Sequence, residues 1–305
     1  MMLSFLLLPM AAVAFVVPST LHMSRRNNRM VMMAEGGPPQ YTKRSASVVS
    51  NTEVGKGSFL ISVETEEPVD YEPGHVLALE IQDPSDKEEW MKGPYTVTRS
   101  TEKSFDVLYK VVGKKTETYS AAQIGDKLQF GGKFKVPILE GLVDTDNLDR
   151  VVGLSTGVGI GPLIGFAEQA LLNTELSYRI DLYVAFRESE DVCCKDTLDA
   201  LVTAYPDRFS WTPVISSIDG HFSTIDNLKV IRKQDAPAAG ATHYHMIGNG
   251  SMVNEWKAGL SEAGVPDTRV TLEMYFNHKE APREDVVKQI AEVLKESSAM
   301  SMSAL

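Results

Sequence analysis

Glycines at 153, 157, 159, 161 and 165 punctuate "VVGLSTGVGIGPLIGFAEQAL", between an apolar run of strand character and an apolar run of helical character. The chemistry such a loop serves is anion binding: backbone N–H groups at a helix N-terminus reach a pyrophosphate with no side chain in between. Counting G-x-G-x-x-G from Gly157 gives Gly159 and then Pro162 where a third glycine belongs, so the usual dinucleotide fingerprint is not met. Pro162 suits a first helical turn, where its missing N–H has no acceptor to lose. Taken alone, the glycines also fit a tight packing turn.

Two other groupings carry less. His243 and His245 fall on one face of a strand, as metal ligands do, but no Cys or His stands at ligand spacing, so no metal is expected. Cys193 and Cys194 are the only cysteines and are adjacent, which rules out a disulfide framework and makes packing their expected role.

Two kinds of periodicity position these residues. From about 41 to 149 the rhythm is period two: "HVLALEI" sets Leu77, Leu79 and Ile81 on one face, "FDVLYKVV" sets Phe105, Val107, Tyr109 and Val111 on one face, and "PYTVT" alternates likewise. Short strands with turns at this spacing predict a closed antiparallel barrel. From 150 to 277 five apolar strands alternate with four amphipathic segments, the pattern of an α/β doubly wound parallel sheet. Residues 278–305 hold a last helix with Val286, Ile290, Val293 and Leu294 at helical spacing, for core packing or partner docking, and a polar tail.

Four motifs in this order resemble the ferredoxin-NADP reductase superfamily, bacterial-type members above all. "GVGIGP" resembles its G-T-G-I-A-P segment, "GPYTVTRS" its R-x-Y-[ST]-x-x-S flavin motif, "MIGNGSMV" its G-N-P-x-M-V form, and "LEMYF" its E-x-Y-[WF] ending. The resemblance spans about 41 to 276 and implies an FAD-binding barrel followed by an NAD(P)-binding domain. It implies that Tyr95 presents a ring to the isoalloxazine and Thr96 a hydroxyl near N5, with Glu273 and Tyr275 lining the nicotinamide side. Gly157, Gly159, Gly161, Pro162, Gly248, Asn249 and Met252 would then hold the nicotinamide dinucleotide. The motif's phosphate-binding Arg is Gly93 here, with Arg99 or Lys92 near enough to replace it and Thr116 matching a phosphate-contacting hydroxyl. The family's Cys before Gly248 is Ile247. Arg187 matches one half of a 2′-phosphate clamp, while Ser216 and Ser217 stand where a Ser-Arg pair belongs, so NADP or NAD is left open.

The resemblance implies an FAD-dependent oxidoreductase exchanging hydride with NAD(P)H and electrons with a carrier such as ferredoxin or flavodoxin. An NADH-dependent cytochrome b5 reductase-type enzyme and a non-catalytic protein that kept the fold are the alternatives. Lys110, Lys114, Lys115, Lys127, Lys133 and Lys135 crowd one segment against Glu117 and Asp126, a local field suited to an acidic partner or simply a solvated barrel face.

Composition narrows the classes further. The 305 residues carry 30 basic and 41 acidic side chains, a net charge of −11. Such a surface repels phosphate backbones, and nucleic-acid binding is not expected. Residues 1–34 contain Arg25, Arg26 and Arg29, no acid and an apolar stretch too short to span a membrane. Their Ala12-Val13-Ala14 step and the Arg-, Ser- and Met-rich run after it read as a signal peptide followed by a transit peptide, hence a secondary plastid, or secretion if only the first part acts.

Overall fold

The computed structural model describes residues 41–302 except 84–85, 135, 143–146, 224–226, 229–230, 232–241 and 278. The expected leader at 1–34, Lys135 and most of 224–231, one of the four amphipathic segments expected between the strands, lie outside the described residues.

Six strands form the first half: β1 (Arg44–Gly55), β2 (Ser58–Thr65), β3 (Val76–Asp83), β4 (Asp86–Thr101), β5 (Ser104–Lys110) and β6 (Lys127–Phe134), with helix α1 (Lys114–Ala121) before the last. They close into an antiparallel barrel in the order β1-β2-β5-β4-β3-β6, which leaves no unpaired edge. The period-two positions fill it: Leu77, Leu79, Ile81, Phe105, Val107 and Tyr109 are buried together with Ile61, Val63, Val97, Leu128 and Phe130. Strand β3 is also covered outside, where buried Glu80 accepts hydrogen bonds from Tyr41 Oη at 2.8 Å and Lys43 Nζ at 2.6 Å.

The second half is a parallel sheet of β7 (Arg150–Thr156), β8 (Arg179–Phe186), β9 (Phe209–Ile215), β10 (Thr242–Asn249) and β11 (Val270–Phe276), in the order β11-β10-β7-β8-β9. Helices α2 (Ile160–Leu172) and α3 (Lys195–Ala204) cover one face, and α5 (Gly250–Glu262) and α6 (Glu284–Met302) the other, with the short α4 (Ser216–Asp219) after β9. Helices on both faces explain why β7 and β10 are buried nearly throughout rather than at alternate positions.

Helix α6 is a core element. Its Val286 and Ile290 are buried against α5, and a β-carbon at Gly259 would stand 2.5 Å from the Ile290 side chain, so only glycine admits this approach. Arg283 Nε also donates to the buried Glu255 carboxylate of α5 at 2.6 Å.

Barrel and sheet meet along α2. A β-carbon at Gly161 would lie 2.7 Å from Thr98 Oγ1 and 2.9 Å from Leu108 Cβ, and one at Gly165 only 1.7 Å from the Thr98 carbonyl oxygen. These glycines therefore let a helix press against the barrel wall, which is also why Leu108, on the outer face of β5, is buried. Arg99 reinforces the contact with a forked pair of bonds to Glu168, 2.5 and 2.7 Å long. Cys193 is buried at a second contact, where a β-carbon on Gly55 would strike its side chain, and Cys194 N donates to the Val54 carbonyl at 2.9 Å. Both cysteines thus serve packing.

Candidate functional site

At the end of this junction a residue of the barrel bonds a residue of the sheet. Thr96, on β4, donates its hydroxyl to Glu273 Oε1, on β11, at 2.6 Å, and Thr96 is 7% exposed. Glu273 Oε2 and the Tyr95 hydroxyl are buried with no hydrogen-bond partner. Burial pushes the Glu273 carboxyl up to about 7, against the opposing hydrogen bond from Thr96. Burial likewise raises Tyr95 and Tyr275 above the ordinary phenol value, with the Glu273 charge adding to the rise at Tyr275. The Tyr95 ring stands edge-on to Tyr109 and Tyr119, at 6.3 and 5.3 Å between centroids, which fixes its plane. Thr96 and Glu273 are thus brought together, with Tyr275 near enough to feel the Glu273 charge, while the Tyr95 ring packs among the barrel's own tyrosines. A buried polar atom without a partner is uncommon, and Glu273 Oε2 beside the Thr96 bond suits the polar edge of a planar ligand.

The glycine run divides into parts with different work. Gly157 has φ +53° and open space where a side chain would project, so the loop's free surface is there. Gly159 lies under β10, where a β-carbon would be 2.9 Å from the Ile247 carbonyl oxygen. Gly161 faces the barrel, and Pro162 is buried in the first turn of α2, so both are corrected from cradle to packing residues. Met252 is corrected in the same way: it is 3% exposed and belongs to the core between the sheet and α5. Gly248 stays at the site, with φ +132° and Thr156 Oγ1 only 2.1 Å from the place of a β-carbon. Asn249 caps α5 by accepting from Ser251 N at 3.0 Å, and its own N–H donates to Thr156 Oγ1 at 2.9 Å. Thr156 therefore ties the two loops together, a role only the spatial neighbourhood of β7 and β10 reveals. Ile247 is fully buried, part of the core rather than of the free surface.

Neither cation expected to replace the arginine missing at 93 is available. Arg99 is engaged by Glu168 and by Asp106 at 3.6 Å, and Lys92 Nζ lies over the Tyr41 ring, 4.4 Å from its centroid. Lys115 occupies the space instead: its Nζ would be 2.6 Å from a β-carbon on Gly93. It borders a cavity of about 200 Å³ lined by Val112, Gly113, Lys114, Lys115 and Thr116 at the N-terminus of α1. Thr116 shapes that loop, accepting from Val112 N at 2.8 Å and donating to the Gly113 carbonyl at 2.9 Å.

On the far side, Arg187 is 87% exposed beyond the end of β8, beside Glu188, whose Oε2 accepts from Ser217 Oγ at 2.8 Å. The lysine-rich segment is less open than its composition suggests. Lys110, Lys114 and Lys133 bond to Asp191, Asp83 and Asp70, and Lys127 to Ser47. His243 and His245 are tied into the interior: His243 Nε2 donates to the Ile138 carbonyl at 2.8 Å, and both rings lie 2.9 Å from Thr271 Oγ1. Among the described residues no helix is long and apolar enough to cross a membrane.

Comparison with known proteins agrees with this geometry. Residues 154–257 match the family model "Oxidoreductase NAD-binding domain". NADH-cytochrome b5 reductase 2 of Kluyveromyces lactis is 32% identical over 89 residues, 29% of this chain and 30% of that protein. The ferredoxin reductase component of 3-ketosteroid-9-alpha-monooxygenase from Mycobacterium tuberculosis is 24% identical over 213 residues, 70% of this chain and 57% of that protein. The matches thus span about a third to somewhat over half the length of these curated relatives. Among solved structures, a ferredoxin NADP+ reductase from Neisseria gonorrhoeae with bound FAD and NADP superposes with a TM-score of 0.64 at 15% identity, covering 77% of this chain and 99% of that one. The chain therefore has the two-domain fold of the ferredoxin-NADP reductase superfamily. Within its second half, the stretch 154–257 is similar to oxidoreductase NAD-binding domains.

Proposed function

We propose that the protein is an FAD-dependent NAD(P)H oxidoreductase that passes electrons to a carrier protein. The observation that carries this reading is the bond between Thr96 and Glu273 across the domain junction, with Glu273 Oε2 left buried without a partner. FAD, when bound, supplies hydride exchange with the nicotinamide and single-electron steps. The chain's own groups then have distinct tasks. Tyr95 holds the ring plane, Thr96 offers a hydroxyl to the ring's polar edge, and Tyr275 keeps water from the nicotinamide side. Glu273, whose carboxyl lies near 7, holds or releases a proton at neutral pH. Lys115 and the 112–116 loop furnish the cation and backbone donors for the cofactor's phosphates, the work that the family gives to an arginine at 93.

The carrier in this reading is a ferredoxin or flavodoxin. The cytochrome b5 reductase-type reading is favoured by the match to the Kluyveromyces lactis enzyme and by Ser217 in place of a cation. From the chemistry of residues 1–34 we infer a plastid location, to be checked by following the full chain fused at its C-terminus to a fluorescent protein.

The decisive test is the visible spectrum of the purified chain incubated with FAD, followed by anaerobic addition of NADH or NADPH. A flavin band that bleaches supports the enzyme reading. A colourless protein overturns it in favour of a binding protein that kept the fold. For the Lys115 role, Lys115→Ala weakens FAD binding by about tenfold, the loss of one charge-assisted contact.

A further inference from the structure

The chain leaving β8 and the chain leaving β9 emerge side by side at the edge that carries the glycine loop. Thr156, which ends β7, is in register with Ala185 of β8, and Ala185 with Val214 of β9. Arg187 and Glu188 therefore follow β8 where Ser216 and Ser217 follow β9, and the two exits are laced together. Ser217 N donates to the Arg187 carbonyl at 3.1 Å, and Ser217 Oγ donates to Glu188 Oε2 at 2.8 Å. Arg187 Nε stands 3.9 Å from Glu188 Oε1. Asp219 adds a second carboxylate, turned back onto the Ile215 N–H at 2.7 Å.

A dinucleotide whose pyrophosphate rests on the first strand's loop extends its adenosine ribose toward the end of the neighbouring strand. A carboxylate there accepts hydrogen bonds from a ribose diol, whereas a 2′-phosphate brings close to two negative charges and calls for cations. Arg187 is the cation at this rim, and its charge is offset by Glu188 beside it. Ser217 fixes one carboxylate oxygen, Oε2, while the other, Oε1, faces Arg187 Nε, so the carboxylate is held at this exposed rim.

We propose that Glu188, held in place by Ser217, makes this site select NADH over NADPH. The proposal rests on the dinucleotide-site reading above, and its test separates the two. Isothermal titration of the purified protein with ADP-ribose, and with ADP-ribose bearing a 2′-phosphate on its adenosine, reads binding without any redox step. The unphosphorylated compound is expected to bind at least tenfold more tightly. Glu188→Gln and Ser217→Arg, both at exposed positions, should together erase or reverse that ratio, and Ser217→Ala should lower it by a few fold. Tighter binding of the 2′-phosphate compound by the unaltered protein, or a ratio unmoved by Glu188→Gln, overturns the selectivity alone. Failure of both compounds to bind overturns the nucleotide site and the selectivity together.

Discussion

One face of the paired strands β10 and β11 carries two buried clusters built alike and tuned oppositely. In register, His245 lies beside Thr271 and Ile247 beside Glu273, so His243, His245 and Thr271 occupy one end of the face and Glu273 and Tyr275 the other. Each end has a threonine hydroxyl bonded to a titratable group: Thr271 to the two imidazoles, and Thr96 of the barrel to Glu273. Burial lowers His243 to about 4 and His245 to about 3, so both rings are neutral at any ordinary pH. The same cause raises Glu273 to about 7, where it changes charge. Desolvation disfavours the charged form in both places. It silences a base and brings an acid into the working range, so the same physical cause builds a structural lock at one end and a proton-holding group at the other.

The largest effect is expected at the carboxylate end. Thr96→Val removes the hydroxyl while keeping the β-branched shape that β4 needs, and hydride transfer from reduced coenzyme should slow by about a hundredfold, equivalent to roughly 2.7 kcal/mol. Stopped-flow bleaching of the flavin measures this, with FAD affinity as the control. A rate within threefold of the parent would remove Thr96 from the chemistry. At the other end Thr271→Val strands hydrogen-bonding atoms of two buried rings, at about 1–3 kcal/mol of stability, read from urea unfolding. Hydride transfer should there stay within twofold, and a collapse of the rate would erase the distinction between the ends.

The pH dependence tests the opposite signs directly. The imidazoles take up protons in the unfolded chain below about 6.5 but not in the folded one until about 4 and 3, so the stability they contribute is full above 6.5 and is lost as pH falls. Glu273 runs the other way: its folded carboxyl keeps a proton between 4.5 and 7 that the unfolded chain releases, so its contribution is lost as pH rises through that window. Each group changes stability by up to about 1.4 kcal/mol per pH unit. Urea midpoints between pH 4.5 and 6.5 should therefore decline toward acid for the parent, more steeply in Glu273→Gln and less steeply in His245→Leu. A shift of both variants in the same direction would contradict the assignment.

Why some of this was readable in the sequence and some was not follows from the distance over which each cause acts. Alternation at Leu77, Leu79 and Ile81 and the strand-helix rhythm after 150 are local consequences of side-chain geometry, and the barrel and sheet appear where those periods lie. Thr96 and Glu273, which bond across the junction, fall in motifs that stand in a recognisable order in the sequence. The remainder depends on partners distant in the chain. Arg99 looked free until Glu168, 69 residues away, took it. Gly161 resembled a phosphate cradle because its closest neighbours, Thr98 and Leu108, belong to the other domain. Lys115 fills the space left by the small residue at 93, a substitution that only three dimensions display.

The smallest expected effect concerns what holds the carboxylate end in register. Thr96 and Arg99 lie three residues apart on β4, and the guanidinium fork on Glu168 of α2 anchors that strand against the sheet domain. Lysine keeps the charge but not the two parallel bonds, so Arg99→Lys should cost about 0.5–1 kcal/mol of stability. Because this fork sits beside Thr96 and not beside Thr271, hydride transfer should fall by about two- to threefold while the acid-side slope of the urea midpoints stays that of the parent. An altered slope with an unaltered rate would mean that the fork supports the histidine end, and the two clusters would then have to be treated as one mechanical unit.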